Sequence, residues 1–262
     1  MDLGLHNKRA VIFASSQGIG RAIAQRLALE GAKVTICARG PEALRNTETE
    51  IRQSGGQVLA LTTDVTQPDD IKQVVMTTVE QWGGVDILVT NAGGPPSARF
   101  MGVDDALWQT GINLNLMSTI RMCREVLPLM QAQQWGRIIH ITSTSVREPF
   151  VELVLSNVAR SGVMSLNKTL AQEYAPFNIT SNNLLIGAIW TKRSESSVQR
   201  LADREGISFE EAKTRSATGI PAGRIGSPEE VGALAAFLAS EHAGYITGQN
   251  IAIDGGLTKG VF

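Results

Sequence analysis

The stretch "ASSQGIGRAIAQRLALEGAKVTICAR", residues 14–39, decides the fold. It starts where the apolar run "RAVIFA" (9–14) ends, passes through an amphipathic segment over 19–30, and closes on a second apolar run, "KVTICA" (33–38), followed by Arg39. Short apolar runs of this kind read as buried parallel strands, and the segment between them as a crossover helix. Gly18 and Gly20 let the backbone at the helix start approach a pyrophosphate closely. The unpaired N–H groups and the positive dipole end of that helix favour an anion there. Two glycines opening a helix are weak evidence alone. Their place between a first strand and a first helix makes them a nucleotide-binding signal.

The same rhythm runs outward along the chain. "QVLALT" (57–62), "VDILVT" (85–90), "GRIIHITS" (136–143), "NITSNNLLI" (178–186) and "QNIAID" (249–254) read as further strands. Helical patterns occupy 41–54, 68–82, 105–134, 152–175 and 228–239. The last of these starts at "SPEE", where Ser227 caps, Pro228 suits the first helical position and Glu230 completes a capping box. Repeated strand–helix alternation predicts an α/β fold of the Rossmann type, a doubly wound parallel sheet with helices on both faces. With no repeat, low-complexity segment or Pro/Gly-rich linker, one domain is expected over 1–262. The segment 190–224 breaks the rhythm: it is charged and polar and carries no strand signal. Ser208 with Glu211 predicts a helix inside it through a second capping box. This insert leaves the carboxyl end of the sixth strand, where α/β sheets bind ligands, and is expected to form a mobile lid.

Bulk composition narrows the function. Hydrophobic residues make up 43% and charged residues 19%, ordinary values for a globular chain. A formal net charge of −1 supplies no field for nucleic acid or anionic membrane. Cys37 and Cys123 fall in apolar, periodic stretches and read as packed, reduced thiols, and His6, His140 and His242 lack metal-ligand spacing. No metal site is expected. The N-terminus lacks the pattern of a secretory signal and no apolar run reaches the length of a membrane span, so a soluble, cytoplasmic protein is expected. At Arg39, a dinucleotide site that prefers NAD would carry a carboxylate for the ribose 2′-hydroxyl. A guanidinium there suits a 2′-phosphate instead, so NADP(H) is expected over NAD(H).

With these pieces in place the chain resembles the short-chain dehydrogenase/reductase family over nearly its whole length. The family's Thr-Gly-x-x-x-Gly-x-Gly motif falls on Phe13-Ala14-Ser15-Ser16-Gln17-Gly18-Ile19-Gly20, with the last two glycines matching and Phe13 and Ala14 departing. Asp64-Val65 matches the family's adenine-contacting pair, and Asn91-Ala92-Gly93 its Asn-Ala-Gly motif. Asn115 matches the helix asparagine that orders a proton-relay water, and Ser143 the serine after the fifth strand. The family's Pro-Gly after strand six reads Ile186-Gly187, followed by Ile189 and Thr191. The resemblance implies a cofactor site of Ala14, Ser16, Gln17, Gly18, Ile19, Gly20, Arg39, Asp64, Val65, Asn91, Ala92, Gly93, Gly187, Ile189 and Thr191. It also implies a homotetramer built on the helices at 105–134 and 152–175. Parts of these read apolar around the circumference, as expected of a helix that buries a second face.

The catalytic pair departs from the family. Thirteen residues after Ser143 stands Ser156, and four further Arg160, where the family carries a tyrosine acid and the lysine that lowers its pKa. The i,i+4 spacing keeps both on one helix face. A serine hydroxyl is a far weaker acid than a phenol, and arginine holds its proton at any physiological pH. The pattern is similar to a divergent branch of β-ketoacyl-carrier-protein reductases. The expected catalytic set is therefore Asn115, Ser143, Ser156 and Arg160. No substitute acid is obvious: Tyr174 lies about 27 Å along the helix from Ser156, His140 reads as a core residue, and Arg147, Glu148 and Glu152 as loop charges. Three readings stay open. Ser143 and Ser156 hold a small-molecule ketone while Arg160 stabilises the oxyanion and water supplies the proton. Alternatively, hydride adds to a conjugated double bond and Arg160 stabilises the enolate. In the third, the protein binds NADP(H) without turnover, as a sensor or oligomer partner.

Overall fold

The structure, a computed structural model, describes residues 1–260. Its strands are β1 (Arg9–Ile12), β2 (Lys33–Ala38), β3 (Gln57–Thr62), β4 (Ile87–Thr90), β5 (Gly136–Ile141), β6 (Ile179–Ile186) and β7 (Asn250–Ile253). They form one sheet in the order β3-β2-β1-β4-β5-β6-β7, and every pairing is parallel. The order reverses between β1 and β4, which opens a crevice at their carboxyl ends. Adjacent strand residues serve opposite layers. Ile12 belongs to a core layer with Ile23 and Leu27 of α1 (Gly18–Leu29), Leu44 and Ile51 of α2 (Pro41–Gln53) and Val231 and Ala235 of α9 (Pro228–Ala239). Its neighbour Val11 belongs to the opposite layer, with Ile71 and Val74 of α3 (Pro68–Trp82), Met122 and Val126 of α5 (Ser118–Gln133) and Leu170 of α6 (Val154–Tyr174). Burial on both faces is why β1 reads as an unbroken apolar run.

β6 is fully buried although its centre is polar. Its asparagines are satisfied by pairing across the sheet. Asn182 Nδ2 donates to the Ile246 carbonyl at 2.7 Å and Asn183 Nδ2 to Asn250 Oδ1 at 3.0 Å, while Thr142 Oγ1 donates to Asn183 Oδ1 at 2.7 Å. Each bond removes the cost of a buried orphan amide. Cys37 and Cys123 are buried and unbridged, and burial pushes both thiols up to about 12. No described helix is long and apolar enough to cross a membrane, and no group of three or more His, Cys, Asp or Glu among the described residues is placed to hold a metal.

Two expectations need correction. The helical pattern over 105–134 is not one regular helix: α4 (Asp105–Ile112) and α5 are joined by a π-helical turn over Asn113–Met117. A π turn inserts one extra residue, and here it aims Asn115 inward, so that Asn115 Nδ2 donates to the Gly93 carbonyl at 3.0 Å. The insert over 190–224 folds as α7 (Lys192–Glu205) and α8 (Phe209–Ala217) on a small core of Val198, Ala202 and Ala212. Ser208 caps α8 by accepting the Glu211 N–H at 3.1 Å, but the expected box is half made, because the Glu211 carboxylate pairs with Arg215 at 2.8 Å. A parallel bridge between Ile189 and Gly226 closes the insert at its base.

Candidate active site

A cavity of about 740 Å³ opens at the reversal point of the sheet, within the size range of ligand pockets. Its phosphate-sized end is built by the turn from β1 into α1. A Cβ on Gly20 would stand 2.9 Å from Asn91 Nδ2 and closer still to the Ala14 carbonyl, so none fits there. Asn91 Nδ2 in turn donates to the Ala14 carbonyl at 3.1 Å, and Ser15 N–H to the Cys37 carbonyl at 3.0 Å. These bonds hold Ala14 at φ +48°, a left-handed conformation that costs an alanine about 1–2 kcal/mol. The helix N-terminus is thereby open toward the cavity.

The wall takes in most residues expected at a cofactor site: Ala14, Ser16, Gln17, Gly18, Ile19, Gly20, Arg39, Val65, Asn91, Ala92, Gly93, Gly187, Ile189 and Thr191. Asp64 is not on it. Its carboxylate turns back to accept the Thr66 N–H and hydroxyl, both at 2.9 Å. Those bonds, and more weakly the charge of Arg39, hold its pKa below the usual carboxylate value. Thr191 caps α7, accepting the Ser194 N–H at 3.3 Å.

Of the four expected catalytic residues, Ser143 and Arg160 reach the wall, and Ser156 and Asn115 sit behind it. Ser143 Oγ accepts the Ser145 N–H at 3.2 Å. Ser156 is 3% exposed, and Arg160 Nη1 donates to its Oγ at 2.9 Å. The serine therefore holds the guanidinium from below and does not itself face the cavity. Burial, and then the nearby charge of Arg193, push the Arg160 pKa down to about 10, leaving it cationic at neutral pH. Asn115 is buried, and its Oδ1 has no partner among the described residues.

The other titratable residues weighed from the sequence lie elsewhere. His140 is wholly buried in a chain from Thr90 Oγ1 (2.8 Å) through its own ring to Ser181 Oγ (3.1 Å) and Asn167 Oδ1 (2.8 Å). Ser181 donates to Asn167, so it accepts from His140 Nε2, and the ring is neutral with Nδ1 accepting from Thr90. Arg147 donates to the Asn250 carbonyl, Glu148 accepts the Lys259 and Gly260 N–H groups, and Glu152 pairs with Arg99. Tyr174 stacks near Phe177, and Tyr245 is fully exposed. Among the described residues, no Tyr, His, Asp or Glu lines the cavity.

Sequence reading missed Lys192, Arg193 and Gly94, all on the wall. The guanidinium of Arg193 rests against Gly94, where a Cβ would collide with it. A signal was present: two cations directly follow Thr191 at the start of the insert.

The sequence and fold are matched by known proteins. The family described as Enoyl-(Acyl carrier protein) reductase matches residues 13–258. A putative ketoacyl reductase of Streptomyces coelicolor is 34% identical over 250 residues, covering 95% of this chain and 96% of that one. The crystal structure of L-sorbose reductase from Gluconobacter frateurii, complexed with NADPH and L-sorbose, superposes with a TM-score of 0.96 at 34% identity, over all of both chains. A variant of actinorhodin polyketide ketoreductase with NADPH does so with a TM-score of 0.92 at 34% identity, covering 97% of this chain and 98% of that one.

Proposed function

Because the chain belongs to the short-chain dehydrogenase/reductase family, we propose that it is an NADP(H)-dependent oxidoreductase that reduces a ketone without the family's tyrosine–lysine pair. The observation that carries this reading is the cavity itself. A glycine-lined helix N-terminus stands at one end, Arg39 at its adenosine side, and Ser143 with Arg160 at the other end. The residues present fit an NADP(H): the cradle at Gly20 excludes a Cβ, and no carboxylate on the wall opposes the phosphates. Bound NADPH supplies the hydride. Ser143 Oγ and the Arg160 guanidinium donate to the substrate oxygen and stabilise the negative charge that develops there. Ser156 acts as a positioning residue, fixing Arg160 through the 2.9 Å bond. Arginine cannot release a proton at neutral pH, so the proton comes from water held at the free Asn115 Oδ1.

A second reading has its own support. Matching the family described as Enoyl-(Acyl carrier protein) reductase, and a wall without a phenol, suit hydride addition to a conjugated double bond, with Arg160 on the enolate oxygen. The test is NADPH oxidation by pure protein against matched ketones and enones, with products identified. Alcohol supports the first reading and saturated carbonyl the second. Absence of NADPH consumption across both panels would overturn both, in favour of a silent NADP(H)-binding protein. The reading treats 1–262 as one cytoplasmic domain acting on a small molecule and assembling as a homotetramer through α4, α5 and α6. Light scattering checks the assembly: a single species near 28 kDa would refute it.

A further inference from the structure

Four cations line the cavity, Arg39, Arg160, Lys192 and Arg193, and among the described residues no carboxylate does. Among the described residues, none of the four forms an ion pair. Arg39 stands at the end of β2, on the adenosine side. Arg160 and Arg193 stand at the opposite end, close enough that the charge of one lowers the pKa of the other. Two guanidiniums brought together, one largely buried and one exposed, repel each other, and an anion between them relieves that repulsion.

The first turn of α7 sets where Arg193 points. The Thr191 methyl packs against Gly18 at the phosphate cradle, 3.3 Å from where a Cβ would stand. Two residues on, Arg193 lies against Gly94, next to Gly93, whose carbonyl receives Asn115 Nδ2. The turn thus spans from the pyrophosphate end to the reacting end, and Arg193 belongs to the latter. Planar guanidinium and planar carboxylate match two bonds at a time.

We propose that Arg193 is a specificity residue that binds a carboxylate of the substrate, so that the ketone reduced is a short oxo acid with its carbonyl on Ser143 and Arg160. This deepens the ketone-reduction reading and rests on it. Hydride from NADPH adds to the carbonyl carbon, the C=O electron pair moves to oxygen, and water protonates that oxygen. An oxo acid becomes a hydroxy acid, NADPH becomes NADP⁺, and the hydroxide left takes a proton from solvent.

The test compares acetoacetate with methyl acetoacetate, in which one methyl group replaces the negative charge. Calorimetry on the protein with and without NADP⁺ measures binding without turnover, and NADPH absorbance measures turnover. The acid is expected to bind about 10-fold or more tightly than the ester, the scale of one charge-assisted contact. That preference is expected to fall to near parity in Arg193→Gln. It should fall also in Gly94→Ala, which keeps the arginine but fills its seat, and persist in part in Arg193→Lys. The Arg193 side chain is exposed and unbonded, so its removal leaves the fold alone. Parity in the wild type, or a preference that survives both Arg193→Gln and Gly94→Ala, would overturn the proposal. So would a loss of NADPH affinity in Arg193→Gln as large as the loss for acetoacetate, which would make Arg193 a cofactor anchor. If the acid binds preferentially through Arg193 and neither compound consumes NADPH, the anion site stands and ketone reduction falls.

Discussion

Arg9 and Arg193 are both seated over a glycine, at opposite ends of the same sheet, and only one of them is satisfied. At the amino end, Gly84 leaves room for the Arg9 guanidinium, 2.5 Å from where a Cβ would stand. Asp86 then takes it in a fork, Nε to Oδ2 and Nη2 to Oδ1, both at 2.7 Å, with Gln133 accepting a further bond. Arg137, buried nearby, gives its N–H groups to the carbonyls of Gly136, Asn178 and Ser240 and lies over the Trp135 ring. At the carboxyl end, among the described residues, Gly94 seats Arg193 with no carboxylate beside it, and Arg160 donates to a serine hydroxyl. One end uses its cations to hold strands together. The other holds them in readiness for something outside the chain. Breaking a satisfied arginine therefore costs stability, and breaking an unsatisfied one costs function.

The largest expected effect is on the satisfied side. Asp86→Ala leaves the partly buried Arg9 with its bond to Gln133 but without its carboxylate, and loss of one member of such a pair costs about 3–5 kcal/mol. The Arg9 side chain is 22% exposed, so water recovers part of this and the lower figure is expected. Urea unfolding should show it, while NADPH affinity in the folded protein should be unchanged. A variant of wild-type stability would show that the fork is ornamental and would erase the contrast between the two ends.

Arg160→Met comes next and should fail in the opposite way. It keeps much of the apolar stem and removes the charge, so kcat should fall 100-fold or more, about 2.7 kcal/mol, the scale of one oxyanion donor. NADPH affinity should fall far less, because the charge Arg160 meets appears only as hydride arrives. The melting temperature should not drop, since a desolvated and unpaired cation has been removed. Ser156→Ala, which loosens Arg160 without removing it, should cost less. Intact turnover with ruined NADPH binding would make Arg160 a cofactor residue.

Arg39→Ala sharpens the comparison within the cavity. Removing a charge-assisted phosphate contact should weaken NADPH by about 1.5–3 kcal/mol and leave NADH nearly unaffected. Equal losses for both cofactors would remove Arg39 from the 2′-phosphate. Between the two ends, His140 supplies a pH signature. Burial depresses its pKa from 6.5 to about 3, so protonation favours the unfolded chain. Its contribution is complete above pH 6.5 and is lost progressively as pH falls toward 3. An imidazole resonance of His140 that titrates near 6.5 in the folded protein would contradict this.

The same contrast explains what the sequence made legible. Strands β2 and β3 are found at the bounds that their apolar runs mark, and β7 within one residue at each end, because burial on both faces writes itself into composition. β6 could be read through its polar centre because its ends are apolar and its length suits a strand, though the pairing of Asn182 and Asn183 was not visible. The π turn at Asn115 left no trace, since one inserted residue hardly disturbs helical periodicity. The glycines at the turn from β1 into α1 were legible because close backbone approach admits little else. Arg193 was not, because the insert that carries it has no period to read and its role depends on which glycine it lands on. Asp64 and Ser156 show a related limit: sequence places a residue on a loop or helix face, while its hydrogen bonds decide which way it turns.

The smallest effect tests the left-handed backbone of the site end, where Ala14 takes a conformation that Asn7, Gln134 and Asn178 take at the amino end. Ala14 holds φ +48° because Asn91 clamps its carbonyl and the adjacent Ser15 N–H is tied to Cys37. Strain of this sort persists only where the surroundings over-determine it. Ala14→Gly relieves about 1–2 kcal/mol of left-handed strain. It also frees the unfolded chain, which costs about 0.4–1 kcal/mol. The difference leaves a net gain of up to about 1.6 kcal/mol. Thermal or urea unfolding should resolve it as a modest stabilisation. NADPH binding reads the other half of the argument: the cradle should keep its shape, because Asn91 and Cys37 still fix it, and affinity should hold. A destabilised Ala14→Gly would mean that the alanine methyl packs usefully and that the left-handed turn is unstrained. A stabilised variant with weakened NADPH binding would mean that the methyl, and not the clamp, keeps the cradle open.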